Sequence, residues 1–226
     1  MPDRSCRQFR RAVLVLGIAA LVLATGEAVA AGCPQASTPV VVRMVQDPGT
    51  VNRDHGKTAA QIAAVGGGVF SPTEVPRGLT VVTPDARISV KIGYTGLGTD
   101  EGCVWPTEAE IYFGYTAITV YIDRQYDRQS CAYRAIARHE DTHVNIYRRS
   151  LASYAPVVQR HVVIALRDKP WFRVRTQDQA RQVYPLYLGN VLRKVLEDFK
   201  REIITVNAAI DIPSVYAETQ RQCTDW

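Results

Sequence analysis

Apolar and polar positions alternate along the first half of the chain and recur at helical spacing along the second. Val40 to Val45 is a β-branched run. Ile88, Val90, Ile92 and Tyr94 alternate with Ser89, Lys91 and Gly93, the two-residue period of a half-buried strand. Ala109, Ile111 and Phe113 repeat that period, as do Ile118, Val120 and Ile122. A turn near Gly114 to Thr116 is expected between these last two runs, which makes them an antiparallel pair. One short helix interrupts the strands. Thr58 and Gln61 have capping-box spacing at its start, and Gly66 to Gly68 ends it.

The pattern then becomes helical. Ser130 can cap a helix reaching about Tyr154, and Pro156 starts or kinks another to about Arg167. Thr176 can cap a third, which Pro185 interrupts. Leu188, Leu192, Val195, Leu196, Phe199, Ile203, Val206 and Ile210 mark one apolar stripe on a long helix from about Leu188 to Ala209. Asp211-Ile212-Pro213 opens a last short one. Strands followed by helices predict an α+β domain, with an antiparallel sheet in the N-terminal half packed against a helical C-terminal half.

The first thirty residues follow a different pattern. Arg4, Arg7, Arg10 and Arg11 precede an apolar run from Ala12 to Ala24, and Ala28-Val29-Ala30 is a small-residue cleavage site. The run is short for a bilayer core of roughly 30 Å. The reading is a secretory signal peptide over residues 1–30, followed by a single domain over residues 31–226. Secretion or a periplasmic location follows, with no stable membrane insertion after cleavage. An uncleaved anchor is the competing use of the segment.

Composition adds an export context and removes one class of partner. The formal net charge is +5, and about +3 without the leader. The arginines are scattered, with no aromatic–basic recognition motif, so nucleic acid is not an expected partner. Cys33, Cys103, Cys131 and Cys223 follow the leader. An even set in an oxidising compartment predicts two disulfides. The expected pairs are Cys103–Cys131 and Cys33–Cys223. Acylation of Cys33 as a lipoprotein is the rival use of that residue. The glycines at 66 to 68 lack a following Lys-Ser or Lys-Thr, so they read as a loop. No Gly-x-Ser-x-Gly elbow is present.

The chemistry concentrates in one stretch. His139-Glu140-Asp141-Thr142-His143 lies within the first long helix, where residues four apart share a face. Both imidazoles can therefore meet one ion, and zinc accepts such ligands at about 2.0–2.1 Å. Glu140, one residue round from His139, can serve as the general base for a water on that ion. Ala132, Ala135, Ile136, Ile146 and Tyr147 form the core-facing stripe of the same helix, and the two histidines interrupt it. Paired histidines in a core need a ligand or partners.

These residues resemble the zincin metallopeptidases, and with the leader and length the chain resembles bacterial predicted secreted zinc-dependent proteases. The resemblance rests on His139, Glu140 and His143, with Tyr133 to Arg138 flanking them. It implies Zn2+ on His139 and His143, Glu140 as base, and a peptide or protein substrate. It also implies a strand beside the site that pairs with extended substrate, for which Thr116 to Asp123 is the candidate. Ile146 and Arg149 stand where the metzincin pattern has glycine and histidine, so the third ligand lies farther along. Glu202, at the edge of the apolar stripe, is the leading candidate, as a helical glutamate. Asp211, His161 and Glu197 are the alternatives, and a capping role is the simpler one for Asp211. Tyr184, Tyr187 and Tyr216 are possible donors to an oxyanion. A non-catalytic zinc-binding envelope protein and a zinc amidase acting on cell-wall peptide are the competing functions.

Overall fold

A computed structural model describes Cys33, residues 39–67, 76–96 and 101–224, and Trp226. The expected leader falls outside the described residues. The element order is β1 (Val41–Asp47), β2 (Val51–Asp54), α1 (Ala59–Gly66), β3 (Gly78–Thr95), β4 (Gly102–Ile122), α2 (Cys131–Asp168), β5 (Phe172–Val174), α3 (Gln177–Ala208) and α4 (Pro213–Arg221). The α+β class is as expected. The sheet is mixed rather than antiparallel. β1 and β2 run parallel to β4, while β3 and β5 run antiparallel to it.

β4 is the central strand and carries most of the core. Ala109, Ile111, Phe113, Tyr115, Ile118, Val120 and Ile122 are buried, and α2 and α3 pack over that face. The expected turn at Gly114 to Thr116 does not occur, because β4 is continuous through it. Thr83 pairs with Ala117 and Pro84 with Tyr115, so Thr116 is an extra residue in a β-bulge. A bulge and a turn leave the same trace in sequence, since both change the phase of alternation from odd to even positions. The gap between β1 and β2 lies at the same level of the sheet. There Gly49 adopts φ +74° with its Cα close against Tyr115, a conformation that suits glycine.

The strand proposed as a substrate platform is corrected by this topology. Residues 118–121 pair with β2 on one side and 117–122 pair with β3 on the other. With both edges taken, residues 118–121 at the centre of the segment Thr116 to Asp123 cannot take up a peptide strand. β3 is the long strand whose outer edge pairs with no other strand among the described residues.

The helices start where their caps predict. Thr58 and Gln61 form the full capping box, the Ser130 hydroxyl accepts from the amide of Tyr133, and Thr176 accepts from that of Gln179. Neither proline breaks its helix. α2 runs unbroken past Pro156 and α3 past Pro185. Burial of the flanking turns outweighs one lost hydrogen bond: Leu151, Ala155 and Val158 surround the first proline, and Tyr184 and Leu188 the second. Phe113, Tyr154 and Phe199 stack where α2, α3 and the sheet meet.

Two disulfides form, with pairs other than those expected. Cys33 joins Cys103, and Cys131 joins Cys223. Cys33 is thus spent on a disulfide and has no thiol left to acylate. The second bond ties the end of α4 to the first turn of α2. No helix of the described residues is long and apolar enough to cross a membrane.

Candidate metal centre

α2 lies with Ala132, Ala135, Ile136 and Val144 buried, and this orientation turns His139 and His143 toward the α3–α4 junction. Asp211 sits in that junction. The N-cap of α4 is Ile212, which makes no side-chain cap bond, and Pro213 supplies the first turn. The expected capping role of Asp211 is therefore not the one it plays. Its Oδ1 lies 3.2 Å from His139 Nε2 and 3.1 Å from His143 Nε2, and the two nitrogens are 3.3 Å apart. Tyr216 Oη donates to the same Oδ1 at 2.8 Å.

Three ligand-type atoms thus form a near-equilateral triangle. Atoms bound tetrahedrally at about 2.0–2.1 Å would be separated by about 3.3–3.4 Å, so the triangle fits one face of such a site. His139, His143 and Asp211 can hold a metal ion. Hydrogen bonding favours the same conclusion. Asn207 Nδ2 donates to the carbonyl of Ile203 at 2.7 Å, which turns its Oδ1 toward His143 Nδ1 at 2.8 Å. His143 then carries a proton on Nδ1 and presents the Nε2 lone pair to Asp211, an arrangement of facing acceptors that needs a cation between them.

The electrostatics agree. Burial alone would depress His143, but its bond to Asp211 and the charge of Glu140 raise it above the ordinary imidazole value. Burial alone would raise Asp211, yet its bonds with both histidines hold it well below the usual carboxylate range. Without a metal, a proton on His143 Nε2 occupies the position the cation would take.

Glu140 packs against Thr80 and Gly78 of β3, within electrostatic reach of His143, His139 and Asp211. It is 4% exposed, and Thr80 Oγ donates to its Oε2 at 2.7 Å. Burial lifts its pKa above the usual range, against the opposing pull of His143, Thr80 and His139. Tyr147, one turn beyond His143, is pushed up to about 12 by burial, then by the charges of Asp211 and Glu140. A groove beside His139 is lined by Arg138, Thr142, Val215 and Glu218.

The structure brings together His139, His143 and, of the four proposed third ligands, Asp211. Glu202, the leading candidate, is exposed on α3 outside the cluster, and Glu197 and His161 are exposed as well. Of the three tyrosines offered as donors, Tyr216 adjoins the triangle, while Tyr184 and Tyr187 bond to carbonyls of Lys169 and Ala165. Asn207 and Thr80 were missed. The signal for Asn207 was present, because Phe199, Ile203, Asn207 and Asp211 continue the core stripe in steps of four. Searched against family models, curated proteins and solved structures, the chain matches none.

Proposed function

We propose that the chain is an exported zinc-dependent hydrolase acting on peptide bonds. The observation that carries this reading is the triangle of His139 Nε2, His143 Nε2 and Asp211 Oδ1, with Glu140 next in sequence to the first ligand. Two imidazoles and one carboxylate are a donor set suited to zinc, and three protein ligands leave a coordination position open. Zinc bound there supplies Lewis-acid activation of water and of a carbonyl. The chain's own groups do the rest. Glu140 takes the proton of the attacking water and returns it to the leaving amine. Tyr216 Oη, at the rim of the triangle, donates its one proton to Asp211 Oδ1 and so holds that carboxylate in place.

A peptide is the substrate class this surface suits. The edge of β3 that pairs with no other strand among the described residues begins at Gly78, against Glu140, and can add an extended strand through backbone hydrogen bonds. The two disulfides accord with export to the periplasm or beyond.

The test is metal analysis followed by hydrolysis. The mature protein should hold about one zinc per chain, lost in His139→Ala. Glu140→Gln should keep the zinc and lower turnover by about 10²–10⁴-fold. A native protein that takes up no metal sinks the reading. One that keeps zinc but cleaves nothing in a peptide panel supports a binding protein instead. Cleavage confined to cell-wall peptide supports the amidase.

A further inference from the structure

We propose that Thr80 and Gly78 of β3 are positioning residues for Glu140, together deciding which of its carboxylate oxygens is free to accept a proton. The proposal rests on the hydrolase reading and refines it. Thr80 is 7% exposed and lies on the face of β3 that packs under the helices, two residues before Val82 of the core. A hydroxyl there must be satisfied from within. It has two acceptors in reach, Glu140 Oε2 at 2.7 Å and the Glu140 carbonyl at 3.4 Å. Its single proton goes to the nearer, carboxyl oxygen.

The other oxygen, Oε1, accepts no hydrogen bond from the described residues. It lies against the backbone of Gly78, where an added Cβ would stand 2.4 Å from Oε1 and 2.9 Å from Ile136 Cγ2. Any side chain at position 78 would therefore displace the carboxylate. Of the atoms met, Ile136 Cγ2 is fixed to its helix while the carboxyl is the end of a longer side chain, so Glu140 is the group that moves. Glycine leaves the volume that Glu140 occupies, and Thr80 fixes the rotation of the carboxylate within it. Oε1 is then the oxygen presented to water. An unanchored carboxylate would sample other orientations, and each misplacement lowers the rate without touching the metal ligands.

Thr80→Val, which keeps the shape and removes the donor, should lower kcat about ten- to hundred-fold while leaving KM and zinc content unchanged. Thr80→Ser should recover most of the loss, and Gly78→Ala should lower kcat at least as far. A readout independent of turnover uses the metal-free protein. The Glu140 carboxylate carbon, assigned by its absence in Glu140→Gln, should change its NMR shift in Thr80→Val and keep it in Thr80→Ser. Wild-type kcat from Thr80→Val, or loss of zinc together with kcat, overturns the proposal. If the wild type hydrolyses nothing, the hydrolase reading falls by itself, and an unchanged carboxylate shift in Thr80→Val then overturns the positioning role separately.

Discussion

Asn207 Oδ1 meets His143 Nδ1 at 2.8 Å, and this single bond decides which nitrogen of His143 faces Asp211. Asn207 is itself oriented by the carbonyl of Ile203, so the tautomer is set from the α3 backbone outward. Asn207→Leu should leave the fold intact, since the position is buried and helical, yet lower zinc affinity by about 10–100-fold. Competition titration with a chelating dye measures this. Unchanged affinity would mean that His143 needs no partner to present Nε2.

The bond between Cys131 and Cys223 joins the helix bearing both histidines to the helix that follows Asp211. The Cys33–Cys103 bond joins segments with no site residue. Removing either should cost stability, about 2–4 kcal/mol by typical values. Only Cys131→Ser with Cys223→Ser should also weaken metal binding, because α4 is then held to α2 by noncovalent contacts alone, such as Arg138 to Gln222. Thermal unfolding and zinc titration of the two double variants separate these effects. Equal zinc affinity in both would show that the α3–α4 junction holds Asp211 without the strap.

Local features of the fold were legible where one residue type has one physical consequence. Ser130, Thr58 and Thr176 cap because a short hydroxyl side chain satisfies free helix amides, and His139 with His143 share a face because a helix repeats every 3.6 residues. What needed the structure was long-range. The sequence gives no direction for β1 and β2 relative to β4, and a bulge at Thr116 shifts phase as a turn would. Pairing four cysteines depends on chain path, so the expectation that Cys103 ties the start of α2 to the preceding sheet gave way to Cys33–Cys103 and Cys131–Cys223. Asp211 was obscured by a local explanation, since Asp before Pro normally reads as a cap. Stepping the stripe on from Phe199 and Ile203 by fours would have reached both Asn207 and Asp211.

That distinction between Asp211 and Glu202 can be measured directly. Asp211→Asn keeps the shape and Tyr216 contact but removes the charge, and should lower zinc affinity at least as far as Asn207→Leu does. Glu202→Gln, Glu197→Gln and His161→Gln alter exposed groups and should change affinity by less than about two-fold, consistent with the small effects of surface changes. Isothermal titration of the four variants orders the candidates, and a large loss in Glu202→Gln alone would reinstate the helical glutamate.

The metal-free protein should lose stability as pH rises, and the gain from added zinc should grow over the same range. In the metal-free form His143 has a folded pKa above its ordinary value. Its contribution is complete below about pH 6.5 and is lost as pH rises through the folded value. Asp211 is held below its ordinary value, so its contribution is present above about pH 4 and lost only as pH falls through the folded value. His143 therefore makes the metal-free protein lose stability toward pH 8, and the buried Glu140, whose pKa is raised, adds to that loss as pH rises above the ordinary carboxylate range. Zinc bound at the triangle would compete with the same proton on His143 Nε2, so its binding should strengthen as that proton leaves. Denaturant unfolding at pH 6 and pH 8, with chelator and with excess zinc, tests this. The zinc-dependent gain in stability should be larger at pH 8. An equal gain at both pH values would show that the metal does not replace a proton between His143 and Asp211.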